Sequence, residues 1–460
     1  MQKLNLDIKD SRLQLILIVG IALIIRLILL YLSRNLGLII WDEKDYNLLA
    51  ANIIKGNGFS FDGQTPTAFR PPLYPAFVAL IYYIANSANI IYVRIAQIII
   101  SLFNIVLVYL IGKDSFNKGT GILAALIFSI YPTLLGFNIF LLTEALFTFF
   151  LCLSYYFLLC FLKRERYICV ILAGFFLGLT CLTRSLILGL GFLIGAFLLY
   201  RRRADLKKSV IYTALFFLSL ALIITPWIIR NSRLFHAFSL IDTASGAQFF
   251  TGNSRYTLLN RSWDFHPDFQ KDYTAAFQDY IKAHNLAANE ATKSRAGIAK
   301  GLEFISGNPL LTVKRDIIKI FNLWGAEREI MAAFMKGYFG PQDKWLIFLV
   351  WAAIIFSYSF LVLTGVFGII FGYAENKAAG QFFLLTVFYF TFIHALVFGH
   401  SRYHVPLVPL IGIYSSYALL NTGKIWNSRK TAKFKFSIGL CFIFVLIWIR
   451  DLAVFISGKA

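Results

Sequence analysis

Two acidic residues, Asp42 and Glu43, and the run Phe69-Arg70-Pro71-Pro72-Leu73 share one polar stretch directly after an apolar segment long enough to cross a bilayer. A carboxylate at the wet edge of a membrane can take a proton from a hydroxyl or an amine. A guanidinium at a helix start, where the dipole favours negative charge, can clamp a phosphate. Together they place a proton acceptor and an anion holder on one membrane face. Each also has a plainer reading. Asp42 sits where it would cap a helix running on through Tyr46, with Asp45 three residues on, and Arg70 could simply meet lipid headgroups. Sequence alone does not separate Asp42 from Glu43 as the base.

Further candidates recur at the ends of later apolar segments. Glu144 opens one beside Thr143, as a second acidic group orienting the base or what is bound beside it, or as a helix-start residue. Arg230 follows Pro226-Trp227 at the end of another, where it binds phosphate or complements a helix C-terminus. Arg402, Tyr403 and His404 precede Pro406 and would form a second wall of a phosphate-binding site. His404 has no neighbouring cluster that would make it a metal ligand. Arg26 and Arg94 fall within or near apolar segments and are expected to pair internally or reach the interface.

These residues need a membrane scaffold, and composition supplies it. Apolar residues make up 58% of 460, with 47 phenylalanines, which is incompatible with one soluble core. Apolar runs at 13–33, 91–111, 119–137, 144–162, 167–182, 185–200, 209–229, 345–371, 380–398, 405–421 and 436–457 predict an all-α polytopic membrane protein with eleven spans, two of them short. The net charge of +21 would suggest nucleic acid in a soluble protein, but its distribution excludes that reading. Lys and Arg exceed Asp and Glu in the N-terminus and in the loops near 113–118, 163–166, 201–208, 377 and 424–435, whereas loop 230–344 is nearly balanced. This positive-inside bias puts the N-terminus in the cytoplasm and the loops at 34–90, 138–143, 230–344 and 399–404 outside, in a cell membrane. The first span has no cleavage site behind it and reads as a signal anchor. All five cysteines lie in apolar segments and read as small core residues.

Three regions follow: a transmembrane core at 1–229 including the outer loop 34–90, a large outer loop at 230–344, and C-terminal spans at 345–460. In the first outer loop, Tyr46, Leu49, Ala50, Ile53 and Ile54 recur at helical spacing before the stop Gly56-Asn57-Gly58, predicting an amphipathic interfacial helix. The stretch 73–85 is too short to cross and predicts a second interfacial or re-entrant helix. Loop 230–344 carries helical patterns at 273–305 and 309–324 broken by Gly307-Asn308-Pro309. Aromatic clusters at 263–267 and 336–340 could stack on sugars or pack on the membrane. This loop is expected to cover the site and choose the acceptor, and Lys424 to Lys435 to anchor on anionic lipid.

Asp42-Glu43 with Tyr46, the glycine break and Arg70-Pro71-Pro72-Leu73 resembles the first outer loop of polyprenyl-phosphate-sugar transferases with the C-type glycosyltransferase fold, notably the lipid A aminoarabinose transferases and protein O-mannosyltransferases. The resemblance continues at Leu142-Thr143-Glu144, Leu182-Thr183-Arg184, Pro226-Trp227-Ile228-Ile229-Arg230-Asn231, Gly252-Asn253 and Arg402-Tyr403-His404-Val405-Pro406. It implies Asp42 as catalytic base, Arg70 as the group facing the lipid phosphate and Glu144 as the acidic position of the second outer loop. The aminoarabinose transferases carry a glutamate just before the basic residue and bind a metal there. Phe69 stands at that position here, which removes a ligand from any divalent site, and Asp45 replaces a usual basic residue. The implied activity moves a sugar from a polyprenyl-phosphate carrier to an extracytoplasmic lipid, glycan or protein with inversion. No nucleotide pocket is needed, and no GxGxxG, P-loop or HExxH is present.

Two other classes remain at this stage. A lipid-linked sugar transporter predicts paired broken helices and several charges deep in the spans, of which the sequence shows little. A polymerase or ligase would work on oligosaccharide diphosphates. The topology is testable. A cysteine replacing Lys282 should react with a membrane-impermeant thiol reagent added outside intact cells, and one replacing Lys430 should react only after permeabilisation. The reverse pattern would overturn the orientation.

Overall fold

The computed structural model describes residues 11–457 except 202 and 261–268; the aromatic run at 263–267 lies outside the described residues. The fold is all-α. The single pairing of extended backbone among the described residues is an isolated antiparallel bridge between Ser60 and Pro66.

The first half contains α1 (Ser11–Leu32), α2 (Trp41–Ile54), α3 (Leu73–Ala85), α4 (Ile90–Ser115), α5 (Lys118–Ile130), α6 (Pro132–Phe137), α7 (Glu144–Arg164), α8 (Tyr167–Thr183), α9 (Leu188–Arg201) and α10 (Leu206–Phe235). The large loop folds into α11 (Ala244–Gly252), α12 (Phe269–Ala283), α13 (Glu290–Gly307), α14 (Pro309–Leu323) and α15 (Glu329–Met335). The chain ends with α16 (Lys344–Gly372), α17 (Lys377–Leu396), α18 (Val408–Leu420), α19 (Thr422–Asn427) and α20 (Ala432–Ile456). Eight segments are long and apolar enough to cross a bilayer: α1, α4, α7, α10, α16, α17, Ser401–Leu420 and α20. The protein is thus a multi-pass membrane protein.

Of the other three predicted spans, one is broken, and two are short as expected. The run 119–137 breaks into α5 and α6 because Pro132 cannot donate to the α5 ladder and instead opens a new helix. The runs 167–182 and 185–200 become the 17-residue α8 and, after a 3₁₀ turn at Ser185–Ile187, the 14-residue α9. In the loop after α1, α2 starts two residues earlier than a helix capped by Asp42 would and stops before Gly56 and Gly58, both at positive φ. The predicted helix over 73–85 is α3.

Burial sorts the helices. In α1 the buried residues Ile18, Ala22 and Arg26 recur every four positions as one stripe facing α4 and α5, and most of the rest is exposed, as lipid contact requires. In α18 nearly every residue is buried, so a helix apolar all round sits at the centre of the bundle. Four of the five cysteines are buried, and all five are free thiols. Arg26 pairs internally through its Nε and Nη1, with Ser101 Oγ and with the carbonyls of Ala22 and Ser129, and Arg94 with the carbonyls of Ser33, Leu36 and Ile139.

Small residues let backbones approach closely. A Cβ on Gly174 of α8 would collide with the Phe216 carbonyl and the Ser219 hydroxyl of α10, and one on Gly178, a turn later, would lie 2.8 Å from Ile223. Gly174→Val should therefore reduce folded yield and lower the unfolding temperature in detergent by several degrees. Gly20→Ala, with nothing within 4 Å of the new carbon, should leave both unchanged, as differential scanning fluorimetry would report.

Candidate active site

The acidic pair separates as soon as α2 forms. Ile40 occupies the N-cap position, so Asp42 does not cap the helix, correcting one reading of the sequence. Glu43, one position on, turns inward and is fully buried. Its Oε2 accepts from the amides of Ile39 (2.8 Å) and Ile40 (2.9 Å), and its Oε1 from Leu141 N (2.9 Å). Three amides saturate it, and it stays away from the cavity that Asp42 faces. Glu43 fastens one outer loop to another.

That cavity, about 110 Å³, is lined by Asp42, Tyr46, Arg70, Arg184, Asp242 and Arg402 on its polar side and by Phe147, Phe390, Ile393 and Tyr403 among its apolar residues. Opposite charges alternate around it. Arg70 Nη2 donates to Asp42 Oδ1 at 2.8 Å and to Asp45 Oδ2 at 2.7 Å. Arg402 Nη1 donates to Asp42 Oδ2 at 3.0 Å, and its Nε donates to Glu144 Oε1. Arg184 Nη2 reaches the same Glu144 oxygen at 2.6 Å while its Nε bonds Thr143 Oγ1 at 2.7 Å. Burial works against the ionised Asp42, but the Arg402 and Arg70 guanidiniums outweigh it and hold its carboxyl down at about 2. Asp45, Arg70, Asp42, Arg402, Glu144 and Arg184 form one unbroken chain.

Tyr46 and Tyr403 furnish faces for these cations. The Arg70 guanidinium lies 5.6 Å from the Tyr46 ring centre and that of Arg184 5.6 Å from Tyr403. Burial pushes the Tyr46 phenol up to about 12, so it remains a neutral hydrogen-bonding group. Glu144 is only 1% exposed and does not line the cavity; the two arginines stand between it and anything bound there.

Two predicted residues lie elsewhere. Helix α10 runs past Arg230 to Phe235, so Arg230 is not at a helix end; its Nη1 donates to Thr67 O at 2.6 Å and its head group lies 4.6 Å from the Trp227 ring centre. It pins the loop that carries Arg70. His404 is fully buried between the rings of Trp324 and Tyr358, its Nε2 3.1 Å from Glu327 Oε1, and belongs to core packing, not to the cavity wall. Phe339 of the predicted aromatic cluster packs on Phe334 and Phe140.

Sequence reasoning passed over Arg184, Asp45 and Asp242 as site residues. Arg184 entered only within the motif Leu182-Thr183-Arg184, with no role, and Asp45 only as a helix-start residue and a departure from the family pattern. Asp242 gave no signal, since it reaches the cavity from the large loop by bonding Ser185 and the Ser245 amide. Burial there pulls its carboxyl upward, against the hydrogen bonds of Ser185 and Ser245. The same loop supplies Glu290, which accepts from Thr67 Oγ1 (2.6 Å) and Ala68 N (2.9 Å) and so fixes the approach to Arg70.

Among the described residues no three His, Cys, Asp or Glu side chains converge as metal ligands. Both oxygens of Asp42 receive guanidinium hydrogens, and Phe69 lines the cavity with an apolar ring.

The chain that builds this cavity at the end of the helix bundle is similar to several known proteins. A family model described as dolichyl-phosphate-mannose-protein mannosyltransferase matches residues 69–229. No curated protein matches the chain significantly. Among solved structures, the apo oligosaccharyltransferase of Archaeoglobus fulgidus is similar at 17% identity and a TM-score of 0.51 over 96% of this chain and 55% of that one. ArnT from Cupriavidus metallidurans bound to undecaprenyl phosphate is similar at 12% and 0.45, over 90% and 78%. The Saccharomyces cerevisiae protein O-mannosyltransferase Pmt1-Pmt2 complex is similar at 14% and 0.38, over 57% and 37%. The chain spans about half the length of the archaeal oligosaccharyltransferase, and it shares that protein's membrane fold.

The two halves of the acidic pair should behave oppositely. Glu43→Ala strands three buried amides and should cost about 3 kcal/mol of stability. Asp42→Asn, partly exposed and still able to accept hydrogen bonds, should cost far less. Unfolding in detergent measures both, and equal losses would contradict the division.

Proposed function

We propose that the protein is a membrane glycosyltransferase that takes a sugar from a polyprenyl-phosphate carrier on the extracytoplasmic face and delivers it to an acceptor hydroxyl or amine with inversion. The observation that carries this reading is the chain of three guanidiniums and three carboxylates, two of whose arginines engage Asp42, the member carboxylate that lines the cavity. The family model over 69–229, named for a dolichyl-phosphate-mannose donor, supports the same donor class.

Phosphate ester oxygens compete with carboxylates for guanidinium hydrogens. When the carrier phosphate enters, Arg70 and Arg402 turn part of their hydrogen bonding to it, with Arg184 beside them. Asp42 loses the charges that held its carboxyl near 2 and its basicity rises toward the range useful for proton transfer. The acceptor then attacks the anomeric carbon as its proton passes to Asp42. The bond from that carbon to the phosphate oxygen breaks, and the polyprenyl phosphate leaves with the electron pair, neutralised by the arginines. A phosphate monoester leaves without a proton donor, and no step is routed through a metal. Glu144 acts from behind by aiming Arg184 and Arg402, and Tyr46 and Tyr403 supply faces for sugar and cation.

In this reading the three short apolar stretches also cross the membrane, giving eleven spans, and α2 and α3 lie at the interface. The N-terminus is cytoplasmic, the region 1–229 is the catalytic core, loop 230–344 covers the cavity and selects the acceptor, and 345–460 completes the bundle.

Purified protein in proteoliposomes, given radiolabelled polyprenyl-phosphate hexoses and pentoses with a membrane-lipid or cell-envelope acceptor fraction, tests the reading. Asp42→Asn should lower turnover at least 10²-fold while carrier binding survives, and Arg70→Ala should weaken carrier binding about tenfold or more. Normal turnover by Asp42→Asn overturns the base. Transfer only from oligosaccharide diphosphates would show a ligase or polymerase instead.

A further inference from the structure

Behind Glu144, α1, α4 and α7 border a second cavity of about 20 Å³, whose wall includes Arg26, Asn104, Glu144 and Thr148. Each of these side chains has one buried polar atom that no protein group satisfies: Arg26 Nη2, Asn104 Oδ1, Glu144 Oε2 and Thr148 Oγ1. Among the described residues there are nine such atoms, so four on residues that line one cavity is a concentration and not scatter. The side chains are not loose. Arg26 Nε donates to Ser101 Oγ at 2.7 Å and its Nη1 to Ser129 O at 2.9 Å; Asn104 Nδ2 donates to Ala145 O at 3.2 Å; Glu144 Oε1 is held by two arginines. Buried polar groups in a membrane interior are ordinarily satisfied.

We propose that this cavity binds one ordered water that ties the free oxygen of Glu144 to the free guanidinium nitrogen of Arg26. The chemistry selects the ligand. A cation would face Arg26 and an anion would face Glu144, whereas a neutral molecule with two donors and two acceptors is met on every side. It accepts from Arg26 Nη2 and the Thr148 hydroxyl and donates to Glu144 Oε2 and Asn104 Oδ1. One water needs roughly 10–15 Å³ of such space, and a second ligand atom would not fit beside it. With both carboxylate oxygens engaged, Glu144 cannot rotate, and its Oε1 stays between Arg184 and Arg402. Arg26, on the outermost first helix, thereby becomes a positioning residue for the arginines of the cavity that Asp42 faces. The catalytic consequence rests on the donor reading above; the water itself does not.

A high-resolution structure of the full chain in lipid nanodiscs should show a single density peak within hydrogen-bonding distance of Arg26 Nη2 and Glu144 Oε2. No peak there, or direct contact between those two atoms, overturns the proposal whatever the kinetics show. In the proteoliposome assay, Arg26→Gln should raise KM for the polyprenyl-phosphate sugar about tenfold with a smaller change in kcat, and Arg26→Lys should recover most of it. The milder Thr148→Val should move KM the same way at an unchanged unfolding temperature. Loss of stability and activity together, without rescue by lysine, would make Arg26 structural only and overturn its positioning role. Should wild-type protein turn over no donor, the density measurement still decides the water.

Discussion

Three guanidiniums and three carboxylates, placed alternately where a helix bundle meets its outer loops, set the terms for everything around them. Each charge is met by at least one opposite charge, and the least exposed of them, Glu144 and Arg402, would suffer most from losing a partner, because breaking a buried pair costs more than forming one gains. The six residues come from α2, the segment before α3, α7, the turn after α8 and the turn before α18. The helix bundle must therefore bring five separate parts of the chain to one place to assemble the chain of charges. A site of this kind is a consequence of the fold and also a constraint on it.

The loops around the cavity are held in place by polar side chains that bond backbone groups. Glu43 collects the amides of Ile39, Ile40 and Leu141, and Arg94 collects the carbonyls of Ser33, Leu36 and Ile139. A carboxylate and a guanidinium thus stitch the first and second outer loops together from both sides of the peptide dipole. Glu290 and Arg230 do the same for Thr67 and Ala68, ahead of Arg70. Irregular backbone near a membrane is stable only when its polar groups are met by protein or water, and these four residues meet them. Asp42, Arg70 and Glu144 owe their mutual distances to neighbours that do no chemistry.

The resting arrangement also has an internal logic. The groups suited to hold a phosphate are occupied by the group suited to accept a proton, so neither is exposed to water as a free charge. Under the proposed function, an incoming carrier phosphate would supply what the carboxylate had supplied and leave the carboxylate available. Binding energy from the carrier would then be converted into basicity at the place it is needed, a use of differential interaction and not of tight ground-state binding.

Sequence by itself determined the class of molecule, because apolar run length and the sidedness of Lys and Arg are local or additive properties. It also marked Asp42, Arg70 and Arg402 as chemistry-bearing residues, since charged groups at the ends of apolar segments are costly unless used. It could not choose between Asp42 and Glu43, because the choice turns on which face of α2 meets the amide of Leu141, far along the chain. It placed Arg230 and His404 in the site by proximity to marked motifs, whereas one staples a loop and the other is stacked between Trp324 and Tyr358. It missed Asp242, which reaches the cavity only through long-range packing of the large loop. Periodicity and composition fix what a segment is. Which side chain faces which cavity is decided by the packing of helices distant in sequence, and that information exists only in three dimensions.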